Sequence, residues 1–515
     1  MANSNNKVKI LDTTLRDGVQ AAPSTVPEAE RKAIVDSIKN VGFDIVEAGF
    51  AAASQLDKNV IDYASNTLKN QQVASLARTT QNDIDEATKA LDKANHPLIH
   101  TFIATSPIHM EKKLEKSPEE VREMARNGVS YAKENMREKG GEVQFSCEDA
   151  TRSNREFLKV IIDDAIKAGA DIINIPDTVG YFQEGEMREL INYLRETVPN
   201  IDNIRLSVHC HDDLGRATAN SLEGVLAGAR QIEGCINGVG ERAGNASLEE
   251  IVASIKARPD RYEGIEISSK IDSKYFGEMS ELVSRGFGMP IQPNKAIVGS
   301  HAFAHMSGIH QHGDSKDKST YQIMQPEMFG WTGIGNRITT SSGKAGFRTV
   351  LNNLGLDVTN SELEKVYRMG MEYMVENEVD LDRRVLYCIV TDKIRGLPHN
   401  YSLDEMNINI PCLSSPSYAK VFVRDDRGNM IRKEEVSSYG PISALYEAIE
   451  HITGKKIDID FFSVRNIGRG GRDSKGETII GARDSKDNTL YGWGLNHDTI
   501  KSAEEAYFSA LNKID

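Results

Sequence analysis

The chain has 515 residues, of which 27% are charged and 39% hydrophobic, and its formal net charge is −14. This composition is typical of a globular protein of roughly two to four domains and excludes a disordered chain. The acidic balance argues against a nucleic-acid partner, and the lack of any long apolar run argues against a membrane span.

The cysteines give no sign of a disulfide framework or a structural zinc site, because CxxC spacing is absent. They are scattered along the chain, as Cys147, Cys210, Cys235, Cys388 and Cys412. The polar start Met1 to Asn6 also lacks the apolar centre of a signal peptide. We therefore expect a cytoplasmic protein in a reducing compartment.

From Lys7 onward, short β-branched runs alternate with amphipathic stretches, a pattern typical of βα units around a parallel sheet. Helices are predicted between the strands, for example Glu28 to Val41, Ser117 to Lys139, Asn154 to Ala168 and Asn220 to Gly228. Eight such units in about 260 residues predict a (β/α)8 barrel. The alternative is a doubly wound open sheet, but the first unit lacks the expected phosphate-binding fingerprint. The predicted strands are 8–12, 44–48, 72–76, 98–104, 142–146, 171–175, 205–211 and 234–239.

The rest of the chain differs in pattern from the barrel region. Helical patterns broken by Gly and Pro predict a helical linker subdomain, and strands such as Tyr418 to Val423 and Glu477 to Ile480 predict an α+β module. Helices are predicted in that module at Ile442 to Ile452 and Ile500 to Leu511. We therefore predict a barrel at 1–265, a linker subdomain at 266–410 and a regulatory module at 411–515.

The end of the seventh predicted strand carries two histidines, His209 and His211, on either side of Cys210. Successive side chains of a strand point to opposite faces, so both imidazoles should point the same way. Such a pair can hold one cation. The alternative is a pair of hydrogen-bonded histidines with a structural role.

Polar residues follow the other predicted strands as well, and in a (β/α)8 barrel the carboxyl ends of the strands form the catalytic face. The first strand runs into 12–20, the fifth into 147–149, the sixth into 176–178 and the eighth into 240–246. One carboxylate, two imidazoles and a carboxamide oxygen would suit Mg²⁺, Mn²⁺ or Zn²⁺ with an open position. Such a site predicts Lewis-acid catalysis.

These motifs together resemble the DRE-TIM metallolyase superfamily, and within it the family of 2-isopropylmalate, citramalate and homocitrate synthases. The resemblance extends to the C-terminal module through Gly440 to Ile449 and runs nearly from end to end. The matching barrel and linker segments are 12–20, 100–109, 145–150, 174–181, 207–215, 237–250 and 302–311.

The resemblance implies a role for each of ten residues. Those expected to bind the divalent cation are Asp17, His209, His211 and Asn245. Those expected to contact the 2-oxo acid are Arg16, at the ketone oxygen, Thr178, at the carboxylate, and His100, in the side-chain pocket. Those expected in catalysis, besides Arg16, are the acid/base pair Glu148 and His310, the latter supplied by a partner subunit, and Tyr321.

The activity that the resemblance implies is condensation of acetyl-CoA with a 2-oxo acid, followed by thioester hydrolysis. The expected substrate is 2-oxoisovalerate, giving 2-isopropylmalate on the path to leucine, with a homodimer as assembly and leucine as effector. The alternatives are another 2-alkylmalate synthase (citramalate, benzylmalate or homocitrate), a carbon-carbon lyase, or a catalytically silent sensor. Val19 and Met306 stand where the family usually has Glu, which leaves the preferred 2-oxo acid open.

Overall fold

The computed structural model describes residues 6–21, 25–268, 270–303, 305, 309–310, 313, 316–330, 338, 340, 342–396, 401–409, 416–425, 427–437, 439–468, 474–483 and 489–514. It divides into two compact units. The first contains residues 1–303 and 312–331, and the second contains residues 304–311 and 332–515. Met306 and Cys412 lie outside the described residues, and the other four cysteines are buried and unpaired.

The first unit is built on parallel strands that follow one another around a closed barrel. Each strand pairs with the next, and β1 pairs with both β2 and β8, which closes the sheet. The predicted (β/α)8 barrel is confirmed. The strands are β1 (Lys7–Asp12), β2 (Ile45–Phe50), β3 (Gln72–Arg78), β4 (Pro97–Ala104), β5 (Glu142–Glu148), β6 (Ile172–Asp177), β7 (Arg205–Cys210) and β8 (Gln231–Gly234). A short strand, β9 (Glu266–Ile267), pairs with β1 outside the barrel.

The helices of this unit begin and end at residues that favour those positions. Ser117 and Glu120 form a reciprocal capping box, and Gly42 ends the first helix in the left-handed conformation, with φ of 79°. The helices are Glu28–Val41, Gln55–Thr67, Gln81–Ala90, Pro118–Arg137, Arg155–Ala168, Glu186–Thr197, Ala217–Ala227, Leu248–Ala257 and Phe276–Phe287.

The predicted eighth strand, 234–239, is misplaced toward the C-terminus. The strand ends at Gly234, and Ile236–Gly238 forms a 3-10 turn in which Asn237 and Gly238 have φ of 60° and 65°. Positive φ at two successive residues curls the chain and prevents an extended run. The strand instead contains Gln231 and Glu233, which are fully buried.

The second unit contains two three-stranded antiparallel sheets, and helices pack against them. The strand β10 pairs with β11 along most of its length, so a truncation that removes this sheet must end before Tyr401. The three-domain division proposed from the sequence remains a prediction. The sheets are β10 (Tyr401–Asn409), β11 (Ser417–Asp425) and β12 (Met430–Ser437), and β13 (Ile459–Ile467), β14 (Lys475–Arg483) and β15 (Thr489–Asn496). The helices are Lys344–Asn353, Asn360–Asn377, Arg383–Cys388, Pro441–Thr453 and Thr499–Leu511.

The helices of the described residues were also compared with the length and hydropathy that a membrane span requires. None of them is long and apolar enough to cross a bilayer.

Candidate active site

Three residues predicted as metal ligands converge at the carboxyl end of the barrel. The Asp17 Oδ2 atom lies 3.1 Å from His209 Nε2 and 3.6 Å from His211 Nε2. The two Nε2 atoms are 3.3 Å apart, and all three side chains are buried. The ligand atoms of the three residues all lie within 4.8 Å of one another, a spacing that one cation could bridge.

Asn245, the fourth predicted ligand, lies beside His211 in the segment after β8. It forms an isolated β-bridge with His211, and its Nδ2 donates to the Val239 carbonyl at 3.0 Å. Its Oδ1 is buried and accepts no hydrogen bond from any described residue. The loop depends on Gly244, which has φ of 95° and whose added Cβ would lie 2.0 Å from the Gly238 carbonyl oxygen. The Nδ2 bond therefore fixes the carboxamide, and its oxygen is left without a donor among the described residues.

A divalent cation fits these residues. Asp17 Oδ2 and Asn245 Oδ1 are buried acceptors that take no well-directed hydrogen bond from a described residue. Buried polar atoms normally have a partner, because desolvation without one is costly. The two histidines are within hydrogen-bonding distance of each other, as the structural alternative requires, but that contact leaves both oxygens unsatisfied. A cation held by two oxygens and two imidazole nitrogens would satisfy all four groups.

The electrostatics of the cluster are strongly coupled. Burial alone raises the pKa of Asp17, but the Arg16 guanidinium and the two imidazoles hold that pKa far below its ordinary value. Burial lowers the pKa of His209, whereas Asp17 and Glu233 raise it to about 9. Burial and the neighbouring His209 lower the pKa of His211 to about 4. One imidazole is therefore cationic at neutral pH, and cation binding would release its proton.

Arg16 is held beside the cluster by a second buried carboxylate. Its Nε donates to Glu47 Oε2 at 2.5 Å, and one terminal nitrogen lies 3.3 Å from Asp17 Oδ1. Glu47 also contacts His100 Nδ1 at 2.6 Å, and His100 Nε2 lies 2.6 Å from the Ser146 hydroxyl. Burial raises the pKa of Glu47, but Arg16 and His100 lower it to about 2. Arg16 and Asp17 are thus an ion pair in which Asp17 is buried and Arg16 is half-buried, and both ring nitrogens of His100 are engaged within the protein.

Glu148 and Thr178 lie at the ends of adjacent strands. Lys113 Nζ contacts Glu148 Oε1 at 2.5 Å, and His109 Nδ1 lies 3.8 Å from the same oxygen. The Thr178 hydroxyl oxygen accepts from the Asp149 amide at 2.9 Å, which leaves its proton able to donate to a ligand. Their substrate and acid/base roles remain predictions.

His310 and Tyr321 belong to different units. His310 lies in the second unit, is exposed, and has its ring centroid 6.2 Å from that of His305. Tyr321 lies in the first unit just after the 3-10 turn Lys318–Thr320 and is 41% exposed. The parts of both residues in the site remain predictions.

Two buried acids and two rim residues were not predicted as site residues. Glu47 bridges Arg16 and His100, and Glu233 Oε2 lies 3.3 Å from His209 Nδ1. An acidic residue inside an otherwise apolar strand is the sequence signal that could identify Glu47, but β8 also contains Gln231 and gives no such signal for Glu233. Lys113 and His109, which contact or lie near Glu148, come from the short helical segment 107–114, whose sequence gives no comparable signal.

Comparisons with known proteins agree with this architecture. Residues 7–283 match the HMGL-like family, residues 297–377 match the homocitrate synthase post-HMGL domain-like family, and residues 381–515 match the LeuA allosteric (dimerisation) domain.

Curated relatives match nearly the whole chain. A 2-isopropylmalate synthase of Nitrosospira multiformis is 40% identical over 505 residues, covering 98% of this chain and 97% of that protein. The enzyme of the same name from Dictyoglomus turgidum is 40% identical, with coverage of 99% and 98%. That from Chromobacterium violaceum is 41% identical, with coverage of 99% and 97%. With identity at this level over almost the full length, the chain belongs to the 2-isopropylmalate synthase family.

Proposed function

We propose that this protein condenses acetyl-CoA with 2-oxoisovalerate and hydrolyses the thioester, releasing 2-isopropylmalate and CoA. The observation that carries the proposal is the convergence of Asp17, His209 and His211, with Asn245 bridged to His211, beside the half-buried Arg16. Such a site combines an open cation position with a fixed positive charge. Both are suited to a reaction in which a ketone oxygen becomes an alkoxide.

The residues of the chain divide the work as follows. Asp17, His209, His211 and Asn245 would hold a divalent cation, Mg²⁺, Mn²⁺ or Zn²⁺, which supplies Lewis-acid polarisation of the ketone when bound. Arg16, already oriented by Glu47, donates to the same oxygen as charge develops on it.

The remaining steps are proton transfers and recognition of the acid. Glu148 and His310 are the candidates for removing a proton from the acetyl methyl group, and the resulting enolate attacks the ketone carbon. Thr178 donates to the substrate carboxylate, His100 borders the alkyl group, and Tyr321 lies close to the reacting groups. Water then cleaves the thioester, which drives the overall reaction.

The first experiment is a panel of 2-oxo acids assayed with acetyl-CoA by release of free thiol. The panel contains 2-oxoisovalerate, pyruvate, phenylpyruvate and 2-oxoglutarate, so that each alternative synthase has its own substrate. Highest kcat/KM with 2-oxoisovalerate supports the proposal. Preference for another acid reassigns the substrate, and no thiol release with any acid contradicts a synthase function. The Arg16→Gln variant serves as the inactive control, after its fold is verified to match that of the parent.

Chelation tests the cation. Treatment with EDTA should abolish thiol release, and added Mn²⁺ or Mg²⁺ should restore it, because an open site exchanges its metal without unfolding. Full activity in excess chelator, after removal of bound metal is verified by elemental analysis, would contradict the assignment.

The match to a LeuA allosteric (dimerisation) domain supports a homodimer that leucine regulates. If His310 completes the partner's site, mixing inactive His310→Ala and His209→Ala subunits should restore part of the activity. No recovery after verified subunit exchange would show that each chain completes its own site.

Leucine should lower the activity of the full chain, and a truncation ending at residue 396 should lose that response. Indifference of the full chain to leucine would contradict this regulation.

A further inference from the structure

Glu233, in the eighth barrel strand, is fully buried and is not one of the predicted site residues. We propose that Glu233 is a positioning residue that fixes the orientation and tautomer of His209 for binding a divalent cation. The proposal deepens the proposed function, because it rests on the cation site of the barrel, but it does not depend on which reaction the site performs.

One oxygen of Glu233 is fully occupied by the protein. Its Oε1 accepts from Gln144 Nε2 at 2.6 Å and from the Ser207 hydroxyl at 3.1 Å, and Gln231 Nε2 lies 3.5 Å away. Gln144 is itself held, because its Oε1 accepts from Gln231 Nε2 at 2.7 Å. These donors fix the carboxylate plane and leave the second oxygen with one direction in which to point.

That second oxygen is directed at His209. Glu233 Oε2 lies 3.3 Å from His209 Nδ1, and neither atom has a hydrogen-bond partner among the described residues. The contact follows from the sheet, since His209 and Glu233 are Cα partners in the pairing of β7 with β8. Adjacent parallel strands place such partners on the same side of the sheet. The two atoms are already within hydrogen-bonding distance, and a small ring rotation would align the N–H with the carboxylate oxygen.

The contact decides which ring nitrogen carries the proton. An acceptor at Nδ1 keeps the hydrogen there and leaves the Nε2 lone pair facing Asp17 and the cation position, 3.1 Å from Asp17 Oδ2. His211 lacks this support, because the one carboxylate that it pairs with among the described residues is Asp17, which lies at Nε2 and not at Nδ1. His209 is therefore the preoriented imidazole of the pair.

The network also predicts an unusual order of effects for two substitutions. In Glu233→Gln, Gln144 and Ser207 still require an acceptor, so the amide oxygen must face them and the amide NH2 must face His209 Nδ1. His209 would then turn its proton to Nε2, where it blocks the cation. In Glu233→Ala, water can take the place of the carboxylate and leave the tautomer free. A positioning role predicts that the isosteric Gln weakens cation binding at least as much as Ala does, whereas a role in packing alone predicts the reverse.

The test uses the full-length protein without substrates and measures Mn²⁺ affinity from the electron paramagnetic resonance signal of the free ion. We expect Glu233→Gln to raise the Mn²⁺ Kd by about 10- to 100-fold. Glu233→Ala should raise the Kd by the same factor or less. The visible absorption of the Co²⁺-loaded protein should change as well, because the ligand field depends on His209. The matched control is Glu477→Gln, another fully buried carboxylate that lies in the second unit, and its Mn²⁺ Kd should equal that of the parent.

The outcomes separate this proposal from the proposed function. An unchanged Mn²⁺ Kd in a folded Glu233→Gln protein, or a clear order of Ala worse than Gln, overturns the positioning role. If both variants fail to fold, Gln144→Met decides, because it removes the main support of Glu233 and should weaken Mn²⁺ binding to a smaller degree; parent affinity in that variant overturns the proposal. A third outcome separates the two proposals. If Glu233→Gln weakens Mn²⁺ binding but the parent releases no thiol with any 2-oxo acid, the positioning role is supported and the synthase function is contradicted.

Discussion

Buried carboxylates have opposite surroundings in the two units of the molecule. In the second unit, Glu477 Oε1 accepts from the hydroxyl of Tyr373 and from Trp493 Nε1 at 3.1 Å, and its Oε2 accepts from Arg465 at 2.5 Å. In the barrel, Asp17 Oδ2 has no well-directed donor among the described residues and faces two imidazoles. Both groups are buried to a similar degree.

The difference separates a structural polar cluster from a binding site. A carboxylate whose lone pairs are met by protein donors joins parts of the fold and offers nothing to a ligand. A carboxylate oxygen that is buried without a well-directed donor, beside imidazole nitrogens with lone pairs, is left available to a cation. The barrel cluster therefore fits a cation, whereas Glu477 joins parts of the second unit.

The largest effect expected from this comparison comes from removing an imidazole of the barrel cluster. His211→Ala should lower kcat/KM by at least about 1,000-fold and strongly weaken Mn²⁺ binding, because the cation loses one of its proposed ligands. The thermal unfolding midpoint should change little, since His211 makes few contacts that support the fold. A folded His211→Ala protein with parent activity would remove the distinction between the two clusters.

A buried carboxylate with intermediate surroundings should show a pH effect. Glu249 Oε2 accepts from the Asn237 amide at 3.2 Å, while Oε1 has no hydrogen-bond partner among the described residues and lies 3.7 Å from Lys295. Burial, only partly opposed by Lys295, raises the pKa of Glu249 to about 7. Because the folded-state pKa lies above the unfolded value, the folded state binds more protons, and stability falls as pH rises from about 4.5 through about 7.

Glu249→Gln should remove this dependence. The loss of stability between acidic and neutral pH, at most about 3 kcal/mol from this group, should be smaller in the variant than in the parent. The measurement is the thermal midpoint of the barrel at a series of pH values from about 5 to 8. An identical pH dependence in both proteins would show that another group is responsible.

The smallest effect is expected at Glu477 itself. Glu477→Gln presents an NH2 group to one of the three donors and should cost about 2 kcal/mol, seen as a lower unfolding midpoint for the second unit. Mn²⁺ affinity and kcat/KM in the absence of leucine should stay at parent values. A change in Mn²⁺ affinity would mean that Glu477 influences the cation site and that the comparison fails.

The sequence by itself determined the barrel and the C-terminal α+β module, and it predicted the cluster of Asp17, His209 and His211 in the first unit. Strands such as β6, buried along its whole length, and β11, with alternating burial, follow directly from hydrophobic periodicity, and His209 and His211 share a side because side chains alternate along a strand.

Only the tertiary structure decided which polar groups meet. The eighth strand was misplaced because its buried polar residues, Gln231 and Glu233, resemble surface positions until Gln144 and Ser207 from other strands satisfy them. Glu47 likewise gained a role only when barrel closure placed Arg16 and His100 beside it. Local sequence encodes the hydrophobic periodicity of a helix or strand. A buried charge, by contrast, is stable only through partners that are distant in the chain, and the closed barrel brings these partners together.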